Sequence, residues 1–313
     1  MSERDLIARI RDRFPRAGDD AAVIGNQVIT TDMLIEDVDF THAIPQRFIA
    51  RKSLAVNLSD LAAMGATPSH AVVALGAPEW LEVDAFLDAI AELANEHRIE
   101  IVGGDLSRAE KLVISITAVG TAERPLLRSG ARAGDRIYVS RPIGGSAAGL
   151  ALLQRGWSLE APSTLAYTQR EFAASAIRRH IDPDPELALG IALGAIAEVT
   201  SCIDISDGLS TDLHNLCEAS NCGAEIERER IPLFPDLLGS GTALGIRAQD
   251  VVLHGGEEYA LLFTSSLRES ELSARVRRPV YAIGRMTARE GGVKINGEPL
   301  EAKGWDHFTS GGR

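Results

Sequence analysis

Short apolar stretches that stop at glycine- and aspartate-rich turns recur along this chain, and they restrict its fold more than any other feature. The motifs are GDDAA at 18–22, TTD at 30–32, NLSD at 57–60, GGD at 103–105 and DISDG at 204–208. Between them the apolar period changes between two and 3.6 residues, so strands and helices must be mixed. Residues 2–14 read as an amphipathic helix, Gln27 to Leu34 as a strand, and Pro45 to Met64 as a helix stopped by Gly65. His70 to Leu75 reads as a buried strand and 83–97 as a helix, after which Ile101-Val102 runs into a Gly103-Gly104-Asp105 turn. Lys111 to Val119 alternates apolar and polar residues, the pattern of a half-buried strand.

Arg124 to Gly134 mixes Pro, Gly and Arg and is the best candidate for a domain boundary, giving domains 1–128 and 129–313. Beyond it Arg136 to Ser140 reads as a strand, and Gly144-Gly145-Ser146 opens a helix. Helical patterns follow at 163–180 and 186–199, then a strand from Ser201 to Ile205 and a helix to Ser220. Ala260 to Phe263 reads as a strand, and the tail from Gly223 reads mostly as strands. Asn296-Gly297 there has the composition of a type I′ hairpin turn. The expected fold class is α+β, with mixed α/β layers in two halves.

Composition narrows the function. The 313 residues carry a net charge of −12, which repels nucleic acids and anionic membranes, and aromatics are only 5%. No run of 18 apolar residues suggests a membrane span, and the charged N-terminal stretch lacks a signal-peptide core. The three cysteines, Cys202, Cys217 and Cys222, are too few and too odd for a disulfide framework. A cytoplasmic protein is expected.

The aspartates are the chemical signal. Mg²⁺ takes oxygen ligands, usually one or two carboxylates with phosphate oxygens, so repeated Asp beside Gly, Ser and Thr suggests metal ions carrying a polyphosphate. A single Asp after a strand is more often a helix cap or an Asx-turn. Five motifs together weaken that reading without showing that they converge. No P-loop, dinucleotide-binding glycine motif or protein-kinase signature occurs. The Gly144 segment reads either as a helix N-terminus facing phosphate or as a plain tight turn. His254-Gly255-Gly256-Glu257-Glu258 reads either as a backbone approach to a ligand bound by Glu257, or as a turn with solvated carboxylates. Trp305 is a candidate to cap a cationic ring, or else a tail anchor.

Taken in order, GDDAAVI (18–24), TTDMLIEDVDF (30–40), LAVNLSDLAAMGATP (54–68), IVGGDLSR (101–108), LLRSGARAGDRIYVS (126–140), DISDGLSTDL (204–213), HGGEEYALLF (254–263) and GWDHF (304–308) resemble the thiamine-monophosphate kinase family of the aminoimidazole-ribonucleotide-synthetase superfamily. The resemblance spans nearly the whole chain. It implies a two-domain fold whose N-terminal halves pair into a β-barrel-like core of a homodimer. It implies an N-terminal domain for ATP, metal and dimerisation, and a C-terminal domain completing the substrate site. The implied reaction moves the γ-phosphoryl group of ATP directly to thiamine monophosphate with several Mg²⁺ ions, and no side chain acts as base or nucleophile. Asp20, Thr31, Asp32, Asp60, Asp105, Asp204 and Asp207 match metal ligands, with Thr30 a further one. Gly104, Asp105, Arg128 and Ser206 match nucleotide contacts, and Glu257 and Trp305 match substrate contacts. Family members often carry a His before Phe40. Asp39 stands there in this chain and is expected to meet the thiazolium or the aminopyrimidine with different geometry. The alternatives are a superfamily enzyme with another acceptor, or a non-catalytic nucleotide-binding protein. The first cysteine, Cys202, argues against relatives that use an N-terminal catalytic Cys.

Overall fold

A computed structural model describes residues 3–14, 16–305 and 308. The chain runs α1 (Glu3–Arg13), β1 (Ala22–Ile24), β2 (Gln27–Ile35), α2 (Gln46–Ala63), β3 (Thr67–Ala77), α3 (Val83–His97), β4 (Glu100–Arg108) and β5 (Val113–Thr121). It continues with β6 (Arg136–Val139), α4 (Gly145–Leu153), α5 (Tyr167–Ile181), α6 (Leu187–Gly194), β7 (Val199–Asp204), α7 (Leu209–Ser220) and β8 (Cys222–Ile226). The last elements are α8 (Ala248–Leu253), β9 (Leu261–Ser265), α9 (Glu269–Val276), β10 (Tyr281–Ala288), β11 (Val293–Ile295) and β12 (Glu298–Pro299). They gather into two compact units. The first comprises Asp20–Pro125 and Ile181–Ala195; the second comprises Met1–Asp19, Leu126–His180 and Ile196–Arg313. Each unit mixes helices with one sheet.

The sheet of the first unit has the order β1-β2-β5-β3-β4. Its strands pair antiparallel except β3 and β4, which run parallel. A parallel neighbour needs a crossover, and α3 supplies it. Helix α2 lies against one face. Leu54, Leu58 and Leu61 from α2 and Ile114, Ile116 and Ala118 from β5 are buried in the shared core, where apolar area removed from water holds helix to sheet. The segment 181–195 closes the far side of α2. Arg51 on α2 donates to Asp182 Oδ1 (2.8 Å) and to Glu96 Oε1 (3.0 Å), fixing the start of that segment to α2 and α3. Further on, α6 meets α2 so closely that a Cβ on Gly190 would stand 2.0 Å from the Ala62 carbonyl oxygen.

Gly103-Gly104-Asp105 is not a turn. It lies in the middle of β4, a nine-residue edge strand exposed along its whole length. A Cβ on Gly104 would fall 1.9 Å from the Val73 carbonyl oxygen, just past the register shift at Ala71/Val72. Glycine is there so that two strand backbones can close up after the irregularity.

The sheet of the second unit has seven strands in the order β12-β11-β8-β10-β6-β9-β7. Both sheets are open, with edges at β1 and β4 in one and at β12 and β7 in the other. The tail from Gly223 is more helical than its sequence suggests, because α8 and α9 lie between its strands. Each is only six to eight residues, about two turns, too short for a 3.6 period to stand out. The helix expected over 186–199 stops at Gly194, and β7 begins at Val199. The Asn296-Gly297 turn forms as expected: both residues have positive φ (51° and 83°), and Ile295 pairs with Glu298. All three cysteines are free thiols.

Gly190→Val tests the α2–α6 contact. Overpacking there is expected to cost about 1–3 kcal/mol in urea unfolding, and wild-type stability would mean that α6 does not depend on this close approach.

Candidate functional site

In the first unit the sequence motifs converge beside β2. Strand β1 pairs with β2 only as far as Ile29, so the next residues of β2 have no strand on that side. Asn57 of α2 replaces it, and its Oδ1 accepts the Asp32 N–H at 3.1 Å. Asn57 is anchored in turn by donating to the Ser53 carbonyl oxygen (3.0 Å). One helical turn on, Asp60 Oδ2 accepts a short hydrogen bond from Thr30 Oγ1. Carboxylate oxygens of Asp20 and Asp60 lie within 4.8 Å of one another. Asp39 folds back so that its Oδ2 accepts the Ile35 N–H at 2.7 Å. Burial, then the negative charges of Asp39 and Asp20, push the Asp32 carboxyl up to about 6. Carboxylates this crowded and enclosed favour a bound cation, and an all-oxygen donor set suits a hard one such as Mg²⁺.

Register separates the remaining candidates of this unit. Thr30 and Asp32 pair with Ala118 and Ile116, whose side chains lie in the α2 core. Thr31 pairs with Thr117 and so belongs to the opposite, open face. There Thr117 Oγ1 donates to Thr31 Oγ1 at 3.0 Å, and Thr31 Oγ1 donates to the Ile116 carbonyl oxygen at 3.2 Å. Asp105 pairs with Ala74 on that same open face. A depression of about 370 Å³ there is lined by Val72, Ala74, Gly104, Asp105, Ser115 and Thr117. The TTD motif thus offers oxygen donors to both faces of one sheet.

In the second unit Asp204 ends β7 and is buried, while Ser206 and Asp207 are half-exposed in the turn into α7. That turn is built by Asp212, one turn into the helix, whose Oδ2 accepts the N–H groups of Asp207 (3.1 Å) and Gly208 (3.0 Å). Gly208 has φ +119°, a conformation few other residues adopt. Burial, then the charges of Asp207 and Asp204, push the Asp212 carboxyl well above the usual range, and Arg128 and the Gly208 N–H oppose them. The Arg128 backbone is held by Asp19 Oδ1 (2.7 Å) and Ser220 Oγ (2.9 Å). The Glu257 N–H donates to the Ser206 carbonyl oxygen (2.7 Å), and the Trp305 N–H to the Asp207 carbonyl oxygen (3.1 Å). Asp204, Ser206, Asp207, Arg128, Glu257 and Trp305 therefore share one neighbourhood. Asp306 and His307 of the GWDHF motif lie outside the described residues.

These contacts bear on two local readings. Gly255 and Gly256 give room to the protein itself: a Cβ on Gly256 would meet the Ser206 carbonyl oxygen at 2.5 Å, and one on Gly255 the Ala147 Cβ at 2.3 Å. The N-terminus of α4 is engaged by the protein itself. Glu258, 1% exposed, accepts the Gly144 and Ser146 N–H groups, each at 2.9 Å, with one carboxylate oxygen. Asn57, Asp212 and Glu258 are the structural supports that sequence reasoning left without a role. Only Asn57 carried a usable signal, since its i,i+3 spacing to Asp60 places both on one helix face.

A two-domain architecture with acidic turns in each half defines a class. Residues 18–122 match the N-terminal domain of the AIR synthase related proteins, and residues 132–296 match their C-terminal domain. The chain belongs to this family and, within it, to the thiamine-monophosphate kinases. It is 38% identical to the thiamine-monophosphate kinase of Escherichia coli O157:H7, covering 98% of both chains. It is 34% identical to that of Halobacterium salinarum, covering 98% of this chain and all of the relative. The structure of AaThiL complexed with AMPPCP and TMP superposes with a TM-score of 0.87 at 32% identity, covering 98% of this chain and 97% of the other.

The raised Asp212 carboxyl yields a stability prediction. A carboxyl whose folded value is raised destabilises the fold once pH passes its unfolded value, because the buried site resists the charge. Asp212→Asn should therefore raise the melting temperature of metal-free protein at pH 8, by about 2–4 °C per kcal/mol relieved, and raise it less at pH 4. An equal gain at both pH values would remove the charge from the explanation.

Proposed function

We propose that this protein phosphorylates thiamine monophosphate with ATP, giving thiamine diphosphate and ADP. The observation that carries the reading is full-length similarity to thiamine-monophosphate kinases, with the aspartate motifs in place in both units. The relative complexed with AMPPCP and TMP supports ATP as donor and thiamine monophosphate as acceptor.

Asp20, Asp32 and Asp60, with Thr30, are the residues that would hold Mg²⁺ in the first unit. Thr31 and Asp105 are further candidates on the open sheet face, and Asp204 and Asp207 are those of the second unit. Mg²⁺ would supply charge neutralisation between two polyanions. Gly104, Asp105, Arg128 and Ser206 are assigned to the nucleotide, where the Arg128 guanidinium adds a fixed positive charge. Glu257 and Trp305 are assigned to the substrate, the carboxylate and the indole face both suiting the thiazolium cation. Asp39 is assigned to the substrate as well, with one oxygen already engaged by the Ile35 N–H. The acceptor phosphate is an anion near neutral pH, so no side chain has to remove a proton. Transfer is direct: an acceptor oxygen bonds to the γ-phosphorus as its bond to the β-phosphate oxygen breaks. In this reading residues 1–128 carry the dimer function and most of the ATP and metal residues, and 129–313 carry Asp204, Ser206 and Asp207 together with the substrate residues Glu257 and Trp305.

A homodimer built through the N-terminal halves, with a barrel-like core, belongs to the same proposal. Its support is β4, an edge strand exposed throughout, on which Val102 and Leu106 are 54% and 61% exposed. An open apolar edge of this length invites pairing. The proposed compartment is the cytoplasm, where ATP is available. Among the described residues no helix is long and apolar enough to cross a membrane.

The decisive assay is ADP release from ATP and Mg²⁺ with and without thiamine monophosphate, with the product identified. Release that depends on the acceptor and yields thiamine diphosphate is expected; ATP binding without stimulated release would overturn the proposal. Asp60→Asn should lower turnover roughly 100-fold or more with the fold retained, and chelation by EDTA should abolish it. Leu106→Arg should shift the protein to monomer in sedimentation, whereas an unchanged dimer would exclude β4 from the interface.

A further inference from the structure

His180 is 2% exposed at the C-terminal end of α5, and nothing in the reaction above uses it. Its Nδ1 stands 3.1 Å from Ser146 Oγ and 3.3 Å from Glu257 Oε2. The first contact is a hydrogen bond, and the second is an ion-pair distance when the imidazole is protonated. The other oxygen, Oε1, accepts a longer hydrogen bond from the Tyr259 hydroxyl at 3.4 Å. Each oxygen of the Glu257 carboxylate thus lies against a polar group of a buried residue. The carboxylate itself remains reachable, because the Glu257 side chain is 29% exposed.

The backbone is arranged to make this possible. Glu257 and Tyr259 both have positive φ (58° and 48°), which is costly for residues with large side chains. Around them, Glu257 N–H and Tyr259 N–H donate to the carbonyl oxygens of Ser206 and Ile205. Arg141 donates to the carbonyl oxygens of Glu258 (3.1 Å) and Tyr259 (2.6 Å), and Arg179 donates to that of Glu258 (3.2 Å). Glu258 is in turn fixed to the start of α4 by the N–H groups of Gly144 and of Ser146 itself. A strained turn held by two arginines and a buried carboxylate persists only where the surroundings over-determine it, and here it aims one side chain, Glu257.

We infer that His180 is a positioning residue for substrate binding: it holds the Glu257 carboxylate in the orientation that meets the cationic ring of thiamine monophosphate. This rests on the assignment of Glu257 to the substrate. The test is a double-mutant cycle on the full-length enzyme with His180→Leu, His180→Gln and Glu257→Gln, reading KM for each substrate, kcat and melting temperature. His180→Leu should raise KM for thiamine monophosphate about tenfold, leaving kcat and KM for ATP within about twofold. His180→Gln, which keeps an N–H donor, should recover part of that loss. In the Glu257→Gln background His180→Leu should add nothing further. Additive effects, or a loss in kcat with KM unchanged, would overturn the positioning role while leaving Glu257 assigned. If Glu257→Gln alone leaves KM for thiamine monophosphate unchanged, the substrate assignment itself fails, and the positioning role with it. Should His180→Leu not fold, His180→Gln carries the same cycle, and an effect on KM equal in both backgrounds counts against the proposal.

Discussion

A buried backbone N–H that loses its regular partner must find another, and much of this structure is organised by acidic and amide side chains that provide it. Asn57 takes the N–H of Asp32 where β1 ends, and Asp39 takes that of Ile35 at the end of β2. Glu36 takes that of Leu112, and Asp19 that of Arg128. Asp212 takes two N–H groups before α7, and Glu258 takes two at the start of α4. These bonds fix the turns from which the candidate ligands project. In each unit the proposed chemistry lies beside such a support.

The acids therefore fall into two kinds. Asp19, Asp39, Asp212 and Glu258 each commit an oxygen to the backbone, and Asp212 and Glu258 are buried in doing so. Asp20 and Asp60 instead bring their carboxylates close to one another, with Asp32 under the charge of its neighbours. Mutual repulsion among the second kind is a cost that a bound cation would offset. The first kind would lose a hydrogen bond if removed; the second are the acids that the proposal assigns to Mg²⁺.

Much of the fold was legible. The helix expected over 83–97 is α3 to the residue, and the alternation in 111–119 is β5, shifted by two. Long periodic segments announce themselves because one face must be buried along their whole length. The glycines misled, because a sequence shows that a backbone must come close without showing to what. Gly103-Gly104 reads as a turn and is a strand interior, and Gly255-Gly256, open between a ligand approach and a turn, packs on helices α4 and α8 and on the turn before α7.

The sequence by itself determined the mixture of helix and strand and the family, and it supplied the acids that the proposal assigns. Those follow from local periodicity and from residue types that hard-cation and phosphate chemistry require. Tertiary structure decided which acids face one another and which are caps. It placed Thr31 and Asp105 on one face of a sheet and Thr30 and Asp32 on the other. It also brought His180 to Glu257 across 77 residues of chain. Contacts of that kind depend on register and packing between distant segments, and no local pattern records them.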